Sequence, residues 1–308
     1  MAVTANYGQG ISPANLTYDV NEAYAMVEKI ARQVIRNVVT EDRLAVFDKL
    51  PIDKGTTIEE AIIKLVEAQP SADGTTLCAP IDTSNLIAVK YYKNWTKAQF
   101  KTRVSLDEIR KVMDTDGNVE AIAERIAGTL VESDKQDKYE KVKGLFKYGV
   151  GSTNPVVAAT FVDINKGTPI DCSAADGYKK LLKTIKNTVS GMKFVNADFN
   201  TGGIKRMTLA SDIYIVMPYK IKNAIDVDEL AGVFNLSKAE IEGRIIEIDE
   251  GDNIYIVDQN AILDYTRLYE LTSFWNGEGL FTNYWLTTER LYALSPLFDG
   301  CYISVTKY

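Results

Sequence analysis

The sequence predicts an α+β fold, on three observations. Apolar residues recur at helical spacing in several separate stretches. Short strand-like runs are scattered between them rather than alternating with them in a fixed order, and no internal repeat or low-complexity tract interrupts the chain. The composition is that of a folded protein: 308 residues, 46% hydrophobic, 25% charged and only 8 prolines. At ~150 residues per domain this is enough for about two domains, with a core that needs neither disulfides nor metals.

The elements follow in chain order. Residues 1 to 18 are polar, with Gly8, Gly10 and Pro13, and read as a loose arm. From Asn21 to Val39 the apolar residues Ala23, Val27, Ile30, Val34 and Val38 fall on one helical face, with Asp19 or Asn21 to cap it. The stretch 50–110 reads as two extended arms around a loose polar tip at 69–82, although 57–68 fits helical periodicity equally well. A long helix is predicted over Gly117–Val150, where Val119, Ile122, Ile126 and Leu130 form a stripe that resumes at Tyr139, Val142, Leu145 and Phe146. At 1.5 Å per residue, thirty residues of such a helix span about 45 Å, and Gly128 and Gly144 are the expected bend points. Further on come a helix over 178–189, a buried strand over 212–217 and a short helix over 226–234 with an acidic first turn. Asn235 ends that helix and Ser237 caps the next, before a hairpin that pairs 244–249 with 254–258. Strands over 284–294 and 300–305 complete the pattern.

The chain contains no histidine. Ser-His-Asp and Cys-His catalysis and His-ligated zinc are thereby excluded. Cys78, Cys172 and Cys301 are widely spaced and odd in number, which fits three reduced thiols rather than a disulfide framework. Ser190-Gly191-Met192-Lys193 matches the SxxK acyltransferase pattern but lacks its KTG partner, and a turn after the preceding helix explains it. Asp114-Thr115-Asp116-Gly117-Asn118 opens like a calcium loop, yet Val119 and Arg125 stand where glycine and glutamate are required; a helix N-terminus is the better reading. No catalytic, cofactor-binding or metal-binding residue is predicted. The net charge of −7 argues against a dedicated nucleic-acid binder. There is no apolar run of membrane-spanning length and no signal-peptide pattern at the start, so the expected chain is soluble and intracellular at synthesis.

Charge is unevenly placed. Residues 89–103 carry five bases and no acid: Lys90, Lys93, Lys97, Lys101 and Arg103, interleaved with Tyr91, Tyr92, Trp95 and Phe100. A hairpin this long and aromatic has little to pack on within one subunit. Residues 223–258 carry ten acids, among them Asp226, Asp228, Glu229, Glu240 and Glu242, against the two bases Lys238 and Arg244. Either both are ordinary solvated faces, or one subunit's basic arm (Lys90, Tyr91, Lys93, Trp95, Lys97, Phe100, Arg103) lies on a neighbour's acidic surface. Such a contact is heterologous and can propagate into rings or lattices.

Four segments carry a family resemblance: Arg36-Asn37-Val38-Val39, Gly55-Thr56-Thr57-Ile58-Glu59-Glu60, Asp226-Val227-Asp228-Glu229-Leu230-Ala231-Gly232-Val233-Phe234-Asn235 and Ile245-Ile246-Glu247-Ile248-Asp249. With the order of elements, they make the chain resemble a tailed-phage major capsid protein of the Hong Kong 97 type, in particular those of phi 29-like short-tailed phages. The resemblance implies an N-terminal arm at 1–45, an extended E-loop at 48–108, a peripheral domain with spine helix at 109–165 plus 276–308, and an axial domain at 166–275. It implies pentamers and hexamers closing an icosahedral shell around dsDNA that is held without sequence specificity, in the virion and, during assembly, in the host cytoplasm. A portal and a separate scaffolding protein are the implied partners, since neither an appended immunoglobulin-like domain nor a charged helical scaffolding extension is seen in the sequence. No cofactor and no membrane are implied. Three other readings stand beside it: an encapsulin-type nanocompartment, an Asp/Glu-dependent hydrolase with its groove in the acidic region, and a single-stranded-DNA-binding hairpin.

Overall fold

A computed structural model describes residues 40–53, 57–66, 86–105, 117–151, 159–173, 176–225 and 244–307. The helices predicted over 21–39 and 226–234, the Ser237 cap, Cys78 and Asp114–Asp116 lie outside the described residues. The chain divides into two compact units, one of residues 1–41, 97–137 and 269–288, the other of 42–96, 138–268 and 289–308.

The larger unit is built on a six-stranded sheet. Its strands are β4 (Val162–Asp163), β5 (Ile170–Asp171), β6 (Ile213–Pro218), β7 (Ile245–Ile248), β8 (Asn253–Asp258) and β11 (Gly300–Thr306), in the order β4-β11-β8-β6-β7 with β5 also on β11. Alternate residues serve opposite faces, as strand geometry dictates. Ile213, Ile215, Met217, Ile254, Ile256, Ile303 and Val305 pack with Leu181, Ile185, Val189 and Met192 of α2 (Gly177–Met192). Val216, Ile246, Ile248, Tyr255 and Val257 instead meet Leu44, Phe47, Val142, Leu145 and Phe146. The last three of these come from α1 (Gly117–Tyr148), and Phe47 from a 3₁₀ turn, Ala45–Phe47. Phe146 is the hub of that second core, with ring centroids 5.0 Å from Tyr255 and 6.1 Å from Phe47. A short helix, α3 (Tyr219–Ala224), follows β6 directly.

The remaining strands are β1 (Ile58–Ile63) and β2 (Ile87–Tyr92), an antiparallel pair, and β3 (Trp95–Ser105), β9 (Ile262–Asn276) and β10 (Phe281–Leu294), a sheet ordered β3-β10-β9. In the smaller unit Gln99 Nε2 donates to Thr287 Oγ1 at 3.3 Å and the Arg103 guanidinium lies 5.4 Å from the Phe281 ring. In the same unit the Thr40 N–H donates to Glu132 Oε2 at 2.8 Å.

Three expectations need correction. Residues 58–63 are a strand, so the helical alternative for 57–68 fails. The stretches 245–248 and 253–258 are not hydrogen-bonded to each other: β6 lies between them, parallel to β7 (Ile215 beside Ile245) and antiparallel to β8 (Ile215 beside Ile256). The reason is burial, since every β6 residue except Tyr214 is buried and the strand takes a central place that two flanking strands must cover. Ser190, Gly191 and Met192 are the last turn of α2 rather than a turn after it, with Lys193 at its C-cap.

Candidate functional site

Within the predicted extended stretch 50–110 the described strands are the β1–β2 ribbon and β3, which belongs to the β3-β10-β9 sheet. The ribbon's register sets Ile58 opposite Tyr92, Glu60 opposite Lys90 and Ile63 opposite Ile87. One face therefore carries Glu59, Ala61, Ile63, Ile87, Val89 and Tyr91, and the other Ile58, Glu60, Ile62, Ala88, Lys90 and Tyr92. The second face is anchored. Tyr92 is buried with Leu263, Leu291 and Ala293, and Glu60 Oε2 accepts hydrogen bonds from Tyr92 Oη at 2.7 Å and Ser295 Oγ at 2.6 Å. Burial first, and then the Glu60 carboxylate, hold the Tyr92 phenol far above its ordinary pKa. The first face is left open: Ile63 is 72% exposed, Ile87 57% and Tyr91 55%. Tyr91 Oη donates to Glu59 Oε1 at 3.2 Å, and the Glu59 charge raises its pKa.

The basic residues divide between the two compact units. Lys90 is half-buried on the anchored face, and Lys93 is exposed in the two-residue link before β3. On β3, period-two alternation turns Lys97, Lys101 and Arg103 outward and leaves Phe100 half-buried, with Val104 buried. Trp95 is engaged within its own chain: the Arg267 guanidinium sits 4.3 Å over its ring, and Arg267 Nη2 pairs with Glu289 at 2.6 Å.

On the acidic side Asp226, Asp228, Glu229, Glu240 and Glu242 lie outside the described residues. Other acids of the same segment are compensated internally. Glu247 pairs with Lys222 and, at 3.2 Å, with Arg43; the Lys222 bond leads in lowering its pKa. Asp249 accepts from Lys143 Nζ and Tyr139 Oη, each at 3.0 Å; burial opposes ionisation, but these bonds win and the pKa falls. Asp258 pairs with Arg206 at 2.8 Å. The sequence tally of −8 for 223–258 thus overstates the charge left for a partner. Glu250 and Asp252 border a cavity of about 420 Å³, with Glu140, Lys143 and Lys147 across from them.

The exposed ribbon face was missed at the level of sequence, although the alternation Ile87, Val89, Tyr91 signals it. Among the described residues no group of His, Cys, Asp and Glu could hold a metal ion, and no helix is long and apolar enough to cross a membrane. Cys172 and Cys301 are free and buried, and burial raises both thiol pKa values, which keeps them unreactive.

This architecture is the Hong Kong 97-type capsid fold. It superposes on the capsid structure of Staphylococcus phage Andhra with a TM-score of 0.71, over 90% of this chain and 87% of that one, at 13% identity. The family follows from sequence: the profile of the phi29-like phage major capsid proteins matches residues 5–304, and the chain belongs to that family. It is 23% identical over 293 residues to the major capsid protein of Bacillus phage GA-1, covering 92% of this chain and 60% of that protein. With the major capsid protein of Streptococcus phage Cp-1 it shares 23% over 324 residues, covering 95% of this chain and 86% of the other. The chain thus spans about three fifths of the length of the GA-1 relative. The relatives are structural proteins rather than enzymes, so the hydrolase reading is set aside.

Proposed function

We propose that the chain is the shell subunit of a tailed phage, assembling as pentamers and hexamers into an icosahedral capsid around dsDNA. The open apolar face of the β1–β2 ribbon supports this most directly. A two-stranded ribbon is marginal alone, and one that turns Ile63, Ile87, Val89 and Tyr91 to solvent gains stability only when a neighbour covers it. In this reading residues 1–45 are the N-terminal arm, 48–108 the E-loop, 109–165 plus 276–308 the peripheral domain and 166–275 the axial domain. Lys90, Lys93, Lys97 and Arg103, with Tyr91, Trp95 and Phe100, form the arm's contact set, and Asp226, Asp228, Glu229, Glu240 and Glu242 its acidic counterpart on the next subunit. Net acidity suits a wall that must contain DNA without gripping it. A separate scaffolding protein and a portal complete assembly, which takes place in the host cytoplasm.

Negative-stain microscopy with size-exclusion profiles, at moderate and high salt, tests the reading. Closed shells, sheets or rings that weaken as salt rises are expected. A chain that stays monomeric at every concentration, with a scaffolding protein co-expressed as well as without one, would overturn it.

A further inference from the structure

Asp264, at the start of β9, is only 2% exposed, and neither carboxylate oxygen has a hydrogen-bond partner. It forms an isolated parallel bridge with Asp48, and its backbone carbonyl accepts the Lys49 N–H at 2.9 Å. Lys138 of α1, itself buried, lies 3.8 Å from Asp264 Oδ2, pairs with Asp42 at 2.7 Å and contacts Asp48 more closely still. Arg290 of β10 is the other cation acting on Asp264. The charged groups facing Asp264 are therefore Lys138, Asp48 and Arg290, with Asp42 on the far side of the shared lysine. Lys138 donates to Asp42 and Asp48 but stands beyond hydrogen-bond reach of Asp264, so Asp264 gains a hydrogen bond toward Asp48 only when one of those two carboxylates takes a proton.

We propose that Asp264, Asp48, Asp42 and Lys138 form a proton-dependent latch, in which a proton held by Asp264 and shared toward Asp48 fastens residues 42–52 onto α1 and β9. Protonation converts Asp264 from an orphaned buried acceptor into a donor and leaves Lys138 to serve two carboxylates rather than three. Burial is the first cause of an Asp264 pKa raised from 3.8 to about 7, with Asp48 adding to it and Lys138 and Arg290 opposing it. Because the folded pKa is the higher one, the latched form binds more protons than the opened form between these two values. The latch is therefore firm at low pH and weakens as pH rises through that window, after which its strength levels off.

The test is amide hydrogen exchange on the full chain between pH 4.5 and 8, corrected for intrinsic rates. The probes are the amides of Lys49 and Ile52, which donate to Asp264 O and Thr266 O. The opening constant should rise about tenfold per pH unit up to about pH 7 and then flatten. Asp264→Asn, which donates at every pH, should hold the low-pH protection throughout. A wild-type profile as flat as that of Asp264→Asn would overturn the proposal. Should the variant fail to fold, carboxyl-carbon NMR of aspartate-labelled wild-type protein decides: a midpoint near neutrality for Asp264 supports the latch, and one near 3.8 removes it.

Discussion

Arg206 shows how much hangs on one side chain. Asp258 and Asp299 are each 1% exposed, and Arg206 lies 2.8 Å from the first and 3.9 Å from the second, with its guanidinium 4.1 Å over the Phe298 ring. Thr208 Oγ1 and Asn200 Nδ2 complete the bonding of Asp299, donating at 2.7 and 3.0 Å. Burial is the first cause of a raised pKa at Asp258, against which the Asn260 N–H and then Arg206 pull it down. Arg206→Met should therefore cost about 3–5 kcal/mol at pH 8, because it leaves buried charge without a cation. The cost should shrink as pH is lowered from 8 to 5, because burial already favours the neutral form of Asp258; equal losses in urea unfolding at the two pH values would show that packing, not charge, is responsible. Glu132 has the opposite sign. Hydrogen bonds from Lys135 and from Thr40 lower its pKa from 4.5 to about 2. Its contribution is complete above 4.5 and is lost only as pH falls toward 2, so a carboxyl titration should find a midpoint near 2 that moves upward in Thr40→Val.

At the scale of elements, α2 is the clearest case of sequence dictating structure. Leu181, Ile185 and Val189 recur at one-turn spacing, and all three are fully buried against the sheet. Its first residue is Gly177, where an added Cβ would lie 2.3 Å from the Asp171 carbonyl oxygen and 2.7 Å from the Cys172 Cα. Backbone cannot rotate aside as a side chain can, so Gly177→Ala should destabilise by about 1–3 kcal/mol in urea melts; an unchanged midpoint would mean that the β5 connection yields freely. α1 was equally legible, because its stripe persists for many turns. What the sequence hid was pairing. β6 and β8 are buried on both faces, so neither shows the alternation that reveals which strand lies beside which, and a hairpin across Glu250–Asn253 was the natural misreading. The outer half of β9 was missed for the converse reason: Tyr269 to Trp275 is exposed throughout, and no buried face imposes a period of two. On the arm the basic run was plain in the sequence, but the internal use of Trp95 by Arg267 was not, since those residues are far apart in the chain.

For the whole molecule the question is what a lattice requires of an isolated subunit. An exposed ion pair contributes about 0–1 kcal/mol, too little to hold two subunits together. In a closed shell the same contact recurs on every subunit, and multivalency turns small differences into the presence or absence of particles. Lys93 and Lys97 suit a test of this, because both are exposed. Reversing both to Glu should leave circular dichroism and melting unchanged and prevent particle formation, and partial assembly should return at high salt, where the Debye length falls to about 3 Å near 1 M. Val89→Asp supplies the contrast. It places a charge on the open apolar face of the ribbon, where Val89 is 42% exposed, so its block should persist at high salt, because desolvation of a carboxylate rather than long-range repulsion opposes docking. If Lys93→Glu/Lys97→Glu still builds normal shells while Val89→Asp does not, the ribbon's apolar face carries the contact and the acidic counterpart is not its partner. Normal shells from both variants would remove the ribbon from the interface altogether.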